Sequence, residues 1–360
     1  MDPIREVLRA GALRTLKKRE GLIDLTSNDY LGLSRDPSFQ KEVVEKWNLW
    51  SESISQKTGS TGSRLLTGNH RYFEETEEKI ATFHGFESAT LFNCGYMANL
   101  AILSSIPSSQ DTLIADISIH ASIHDGMKLS KASNVYFRHN DLDHLEMRLK
   151  NRKGKIFVIV ESLYSMEGVP TPLQAIANLC QRYGAQLIVD EAHAIGVLGE
   201  QGEGYVAALG LQNQVFACMV GFGKALGAHG AVLLGSHLLK QRLLNFARPL
   251  IYTIALPLPL LAAIRCSYDR FPQMKKERRH LHQLCKQFYF SSHIHPLLIR
   301  GNAQAKLASL YLSSKGFDVR PILSPTVPKG KEILRLIVHA HNSQVEIASC
   351  LSAIEKWRSK

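Results

Sequence analysis

The sequence predicts an α/β chain, with a mostly parallel sheet in a large domain and a smaller α+β domain at the C-terminal end. Three observations carry that expectation. Short apolar runs recur at residues 89–92, 112–115, 157–160, 187–189, 215–220 and 231–234. Helical stretches at 71–84, 142–150 and 173–183 separate several of them, and continuous apolar strands alternating with helices indicate a parallel sheet covered on both faces. At 360 residues the chain also exceeds what one hydrophobic core usually serves.

Taken in order, residues 1–20 read as a basic amphipathic helix with Ile4, Val7, Leu8, Leu13 and Leu16 as its apolar positions. A short strand at 22–25 leads into the turn-rich Ser27-Asn28-Asp29-Tyr30-Leu31-Gly32. These residues form an expected N-terminal arm, 1–35. The alternating region follows as a large domain, 36–265. The remainder, 266–360, is the expected small domain. It holds a charged helix at 272–290, a segment at 295–299, a helix at 303–315, strands at 319–322 and 333–338, and a closing helix at 344–360.

Composition bounds the function. The chain is 45% apolar and 21% charged, as in an ordinary soluble globular protein. The longest apolar candidate span, 250–264, is short and carries Pro257 and Pro259, so no membrane segment is expected. The N-terminus lacks a signal-peptide pattern, and six scattered cysteines without CxxC fit reduced thiols in a cytoplasm. The formal charge of +11 is spread along the chain and carries no nucleic-acid motif, so no nucleic-acid partner is expected. Such a charge can attract an anionic thioester or an acidic carrier protein.

The chemistry concentrates at strand ends, where ligands bind in open α/β sheets. Lys224 sits in the glycine-rich Val220-Gly221-Phe222-Gly223-Lys224-Ala225-Leu226-Gly227, and Asp190 and His193 end the upstream apolar strand. A lysine in such a turn, with a carboxylate at the mouth of a strand, is what pyridoxal phosphate requires: an amine for its aldehyde and an anion for its ring nitrogen. Asp190 taken alone would more often cap the next turn. His193 is placed to approach the cofactor's phenolic oxygen or a substrate carbonyl. His120 is either a satisfied loop histidine or a flat ring stacked on the pyridine. In Asn93-Cys94-Gly95-Tyr96-Met97-Ala98-Asn99, a glycine opening a helix offers backbone N–H groups to a phosphate. Tyr96 packs on the ring or fills core. The run from Thr58 to Gly68 has no Walker lysine and reads as an ordered loop containing Arg64. Arg335, amid apolar residues of a strand, needs an anion: a substrate carboxylate or a structural partner.

Together these residues resemble the α-oxoamine synthase family, within the fold-type I group of pyridoxal-phosphate-dependent transferases. The likeness spans nearly the whole chain, through Ser27–Leu33, Gly62–Asn69, His120-Ala121-Ser122, Glu161–Gly168, Val189–His193, Gly221–Lys224 and Pro325–Pro328. Phe222-Gly223-Lys224, the stretch 246–252 and Ser324–Pro328 lean toward the biotin-pathway branch, which condenses L-alanine with a pimeloyl thioester of coenzyme A or acyl carrier protein. The resemblance implies that Lys224 holds the cofactor aldehyde and then acts as base. It implies that Asp190 pairs with the ring nitrogen, that His120 stacks on the ring, and that Ser165 and His193 bond near the phenolic oxygen. Gly95 and Tyr96 would give amides to the phosphate side, while Arg14, Asn28 and Arg335 engage substrate. It also implies a homodimer and no metal. Alternatives are a glycine C-acetyltransferase or another member of the family, an aminotransferase, and a non-catalytic scaffold subunit, although scaffold subunits usually lose the lysine.

The chain departs from the family pattern at four places. Gly221 stands where a threonine hydroxyl usually bonds the phosphate. Ile254 and Ala255 replace two hydroxyl positions of a stretch that often reaches the partner subunit's phosphate. Near Arg335 the chain reads Ile337-Val338-His339-Ala340-His341 rather than ending in Thr-Ala-Ala-His, and the N-terminal arm is shorter than usual. Each lost neutral hydroxyl contact costs about 0.5–1.5 kcal/mol, which predicts weakened cofactor retention.

Overall fold

The computed structural model describes residues 3–9, 11–16, 18, 20–150, 152 and 154–359. They form two compact units. The larger contains 31–164 and 170–278; the smaller contains the chain up to Tyr30, the segment Ser165–Val169, and Arg279 onward.

The strands, in chain order, are β1 (Ile23–Asp24), β2 (Ser88–Phe92), β3 (Thr112–Asp116), β4 (Ser133–Phe137), β5 (Ile156–Glu161), β6 (Gln186–Asp190), β7 (Ala217–Gly221), β8 (Ala231–Gly235), β9 (Ile294–Leu298), β10 (Phe317–Asp318), β11 (Arg320–Ile322) and β12 (Ile333–Ile337). The larger unit's sheet runs β2-β8-β7-β6-β5-β3-β4. Its β4, β3, β5, β6 and β7 are parallel, while β8 is antiparallel to both β7 and β2. The reversal has a simple cause. Only residues 222–230 join β7 to β8, fewer than a parallel crossover needs. Strands β2, β3, β5, β7 and β8 are buried throughout, which is why they read as apolar runs. Edge strand β4 is half-exposed, and its Ser-Asn-Val-Tyr-Phe carries no such run; the sequence reading missed it.

The smaller unit holds an antiparallel sheet, β11-β12-β9, and a parallel pair, β1 with β10. Its closing helix, Gln344–Arg358, starts from a full capping box between Ser343 and Glu346. The expected helix over 1–20 needs correction. The helix is Pro3–Arg9, and residues 11–16 are not helical; positions 1, 2, 10, 17 and 19 lie outside the described residues. The chain leaves the helix at Gly11, with φ +62°, and the Gly11 and Ala12 N–H groups donate back to Leu8 and Val7 carbonyls. No described helix is long and apolar enough to cross a membrane.

Candidate active site

Register places the chemistry of the larger unit. Asp190, last in β6, lies beside Glu161 of β5 and Met219 of β7, and Gly221 ends β7 opposite Ala231. The turn after β7 is closed by three backbone bonds: Phe222 N–H to Gly230, Gly227 N–H to Lys224 and Ala228 N–H to Phe222. Gly227 is required there. Its φ is +60°, and a Cβ would stand 2.7 Å from the Ser34 nitrogen. The turn presents half-buried Lys224 so that its Nζ lies 2.7 Å from Nε2 of buried His193. An ammonium donating to that nitrogen leaves the imidazole proton on Nδ1, and a proton can pass between the two groups.

Asp190 is buried and held by two donors. The Ala192 N–H donates to Oδ1 at 2.9 Å, and Asn99 Nδ2 donates to Oδ2 at 2.8 Å. Lone pairs on both oxygens stay available to a further donor. His120 is fixed from two sides. Its backbone N–H donates to Glu161 Oε1 at 2.6 Å, and its ring Nδ1 accepts from the Ser122 N–H at 3.2 Å, capping the helix Ala121–Leu129. Burial lowers the His120 pKa; Asp190 opposes that shift and Lys224 adds to it. The ring is therefore biased toward its neutral form.

Gly95 opens the eleven-residue helix Gly95–Ser105, whose N-cap residue Cys94 gives no side-chain cap. Its first N–H groups are thus left for an anion. Tyr96 fills no core: it is exposed, its hydroxyl donates to Asp125, and its ring meets that of His120 edge-on at 6.4 Å. Arg64, left open from sequence, pairs with buried Glu77 and with Asn69, and so is structural.

The other expected residues belong to the smaller unit. Asn28 Oδ1 accepts from Tyr30 Oη and Arg335 Nη2, each at 3.1 Å. Tyr30 is fully buried, which raises its phenol pKa. The buried Nε–H of Arg335 has no acceptor among the described residues. Arg14 donates to Thr326 Oγ1 at 3.1 Å and lines a cavity of about 670 Å³ with Leu8, Leu13, Leu310 and Arg320. Ser165 is half-buried in the Ser165–Val169 segment. Sequence reasoning gave no role to Asn99 or Ser122. The available signal was a lone amide one turn after Gly95 on an otherwise apolar helix.

The comparisons with known proteins agree in kind. Residues 20–354 match the family model for aminotransferase class I and II. An 8-amino-7-oxononanoate synthase of Emericella nidulans is 36% identical, over 99% of this chain and 95% of that protein. One from Chlorobaculum parvum is 36% identical over 98% and 93%. Among solved structures, a serine palmitoyltransferase from S. paucimobilis with a bound PLP–myriocin adduct superposes with TM-score 0.87 at 26% identity, covering 98% and 95%. The 8-amino-7-oxononanoate synthase of Francisella tularensis gives 0.80 at 29%, covering 95% and 99%.

Proposed function

The chain belongs to the aminotransferase class I and II family, and from that premise we propose that it is a pyridoxal-phosphate-dependent acyltransferase making 8-amino-7-oxononanoate for biotin synthesis. L-alanine and a pimeloyl thioester are the substrates; carbon dioxide and free thiol are the other products. A C–C bond forms between the alanine α-carbon and the thioester carbonyl carbon, the C–S bond breaks, and the carboxylate carbon departs as carbon dioxide.

The residues present fit the cofactor. Asp190 keeps lone pairs for a ring N–H, the uncapped helix start at Gly95 suits a phosphate, and His120 offers a flat ring. Bound there, pyridoxal phosphate supplies an electron sink for the negative charge that develops at the alanine α-carbon. Lys224 would hold the cofactor and take the α-proton at Nζ. His193, 2.7 Å away, shares that proton and orients the amine. Asp190 stabilises positive charge on the ring nitrogen. In the smaller unit, Arg335 and Asn28 offer polar capacity to the amino-acid carboxylate, and Ser165 would bond near the phenolic oxygen. Arg14, on a largely apolar cavity, suits a pimeloyl chain that ends in a carboxylate.

The protein acts as a cytoplasmic homodimer in this reading. Leu66, Tyr252 and Ile254 are 81%, 71% and 62% exposed. Leu66 lies in the single helical turn Arg64–Gly68 and the other two follow the helix Arg248–Ile251, and the two segments are tied by Ala255 N–H to the Gly62 carbonyl and Ser60 Oγ to the Leu256 carbonyl. That is a surface a second subunit would cover.

The observation that carries the reaction class is the Lys224–His193 contact at the same strand ends as Asp190. Borohydride reduction followed by peptide mapping tests it: the label is expected on Lys224, and a label elsewhere or none rejects the reading. Product analysis by mass spectrometry, with alanine and each thioester, tests the substrates. The higher TM-score to the serine palmitoyltransferase favours one second reading, a family member using another amino acid and acyl-CoA. Turnover with serine or glycine and none with alanine would establish it.

A further inference from the structure

The polar contacts of Asp190 lead to Asn99, one turn into the helix Gly95–Ser105 and only 3% exposed. Both hydrogens of its Nδ2 are committed: one to Asp190 Oδ2 at 2.8 Å, the other to Ser122 Oγ at 3.0 Å. A flipped amide would set oxygen against a carboxylate, so the orientation is fixed. Ser122 Oγ, having accepted from Asn99, is 2.8 Å from His120 Nδ1. That nitrogen already accepts the Ser122 N–H, so the hydroxyl donates to it and the ring proton belongs on Nε2. Close helix packing makes this reach possible. One turn beyond Ser122, a Cβ on Gly126 would lie 3.0 Å from the Asn99 carbonyl oxygen and 3.0 Å from Leu103 Cδ1. Glycine lets the second helix approach until Ser122 touches Asn99.

We propose that Asn99 is a positioning residue that fixes, through one amide nitrogen, both the Asp190 carboxylate and, by way of Ser122, the ring of His120. Its link to catalysis rests on the pyridoxal phosphate reading above; the proton arrangement does not. One side chain therefore orients two groups expected to touch the same cofactor. Other titratable groups around Asp190 are Lys224, which with Asp190 alters the His120 proton affinity, and Glu191 and Cys218, which interact with it.

Two measurements test this. In the apoprotein with 15N-labelled histidine, His120 is expected to carry its proton on Nε2 with Nδ1 bare, and a protonated Nδ1 overturns the arrangement without reference to any cofactor or variant. Asn99→Asp keeps the shape but replaces the donor with an acid. At about pH 8 two carboxylates face each other, and pyridoxal phosphate affinity, followed by fluorescence titration of apoprotein, is expected to fall roughly tenfold relative to the unsubstituted protein. At about pH 5.5 a protonated carboxyl at position 99 donates an O–H in place of the amide N–H, and affinity should recover to within about threefold. An equal loss at both pH values, the mark of a merely structural defect, overturns the proposal, as does no loss at all. Should the unsubstituted protein not bind pyridoxal phosphate, the functional reading falls, and the histidine measurement still decides the arrangement. Should Asn99→Asp fail to fold, that measurement decides it alone.

Discussion

The cluster at the strand ends of the larger unit and the cluster around Arg335 in the smaller unit are satisfied to different degrees. In the first, Asp190, Asn99, Ser122, His120 and Glu161 form a connected set of hydrogen bonds. In the second, the Arg335 Nε–H is buried without an acceptor among the described residues, although its Nη2 reaches Asn28. A buried unpaired donor costs about 1–3 kcal/mol, so it is retained where a ligand supplies the acceptor. On the proposed reading, the larger unit's cluster is ordered before any ligand binds, whereas the Arg335 Nε–H finds its acceptor in a ligand.

Removing the reactive group breaks the comparison most severely. Lys224→Ala deletes both anchor and base, and product formation should fall by about 10²–10⁴-fold or more. Borohydride labelling should vanish with it. Retained labelling would move the chemistry to another lysine and detach it from the Asp190 network.

Arg335→Lys probes the incomplete side. A lysine keeps the charge and loses the planar fork. The expected result is a KM for the amino acid raised roughly tenfold to a hundredfold, from the loss of a charge-assisted hydrogen bond, with kcat nearly kept. An unchanged KM would make Arg335 a structural partner of Asn28.

Much of the larger unit's polar cluster was legible because its groups end apolar strands, and open α/β sheets bind ligands at strand ends. Lys224, Asp190 and His193 stood out for that reason. The tie through Asn99 did not, since its partners are distant in sequence and only helix packing at Gly126 joins them. Edge strand β4 escaped because half-exposure removes the apolar run. The N-terminal helix was drawn too long because apolar spacing continues past Gly11 while the backbone turns there. The antiparallel β8 could have been read from the short link after β7.

Asp190 and Glu191 show how neighbours diverge. Asp190 meets Asn99, whereas Glu191 is fully buried and accepts the N–H groups of Tyr205 and Val206 on Oε1 at 2.7 and 3.1 Å. Burial pushes its pKa up to about 7 from an ordinary 4.5, against those hydrogen bonds; nearby Asp190 adds to the rise. The folded state then binds more protons than the unfolded chain between those values, so this group's contribution to stability declines as pH rises through the window. Glu191→Gln removes the titration while keeping an acceptor for both N–H groups. Urea unfolding at several pH values should show the variant gaining on the parent across that window by on the order of 1–3 kcal/mol. A constant difference would mean that Glu191 keeps one protonation state throughout.

The smallest expected effect concerns the hydroxyl that Gly221 lacks. A Cβ at Gly221 would meet Ala192 Cβ at 3.4 Å, an ordinary contact, so the strand end admits a Cβ without a clash. Ala255 is itself buried and packs onto Gly68, so position 255 is the more enclosed of the two. Gly221→Thr is therefore the cleaner restoration, and a β-branched residue suits the end of β7. One added neutral hydrogen bond is worth about 0.5–1.5 kcal/mol, so apoprotein should bind pyridoxal phosphate about two- to tenfold more tightly. Fluorescence titration of both proteins measures it. Equal affinity would mean that the helix start at Gly95 already satisfies the phosphate, and the cofactor side would then be complete without the hydroxyl.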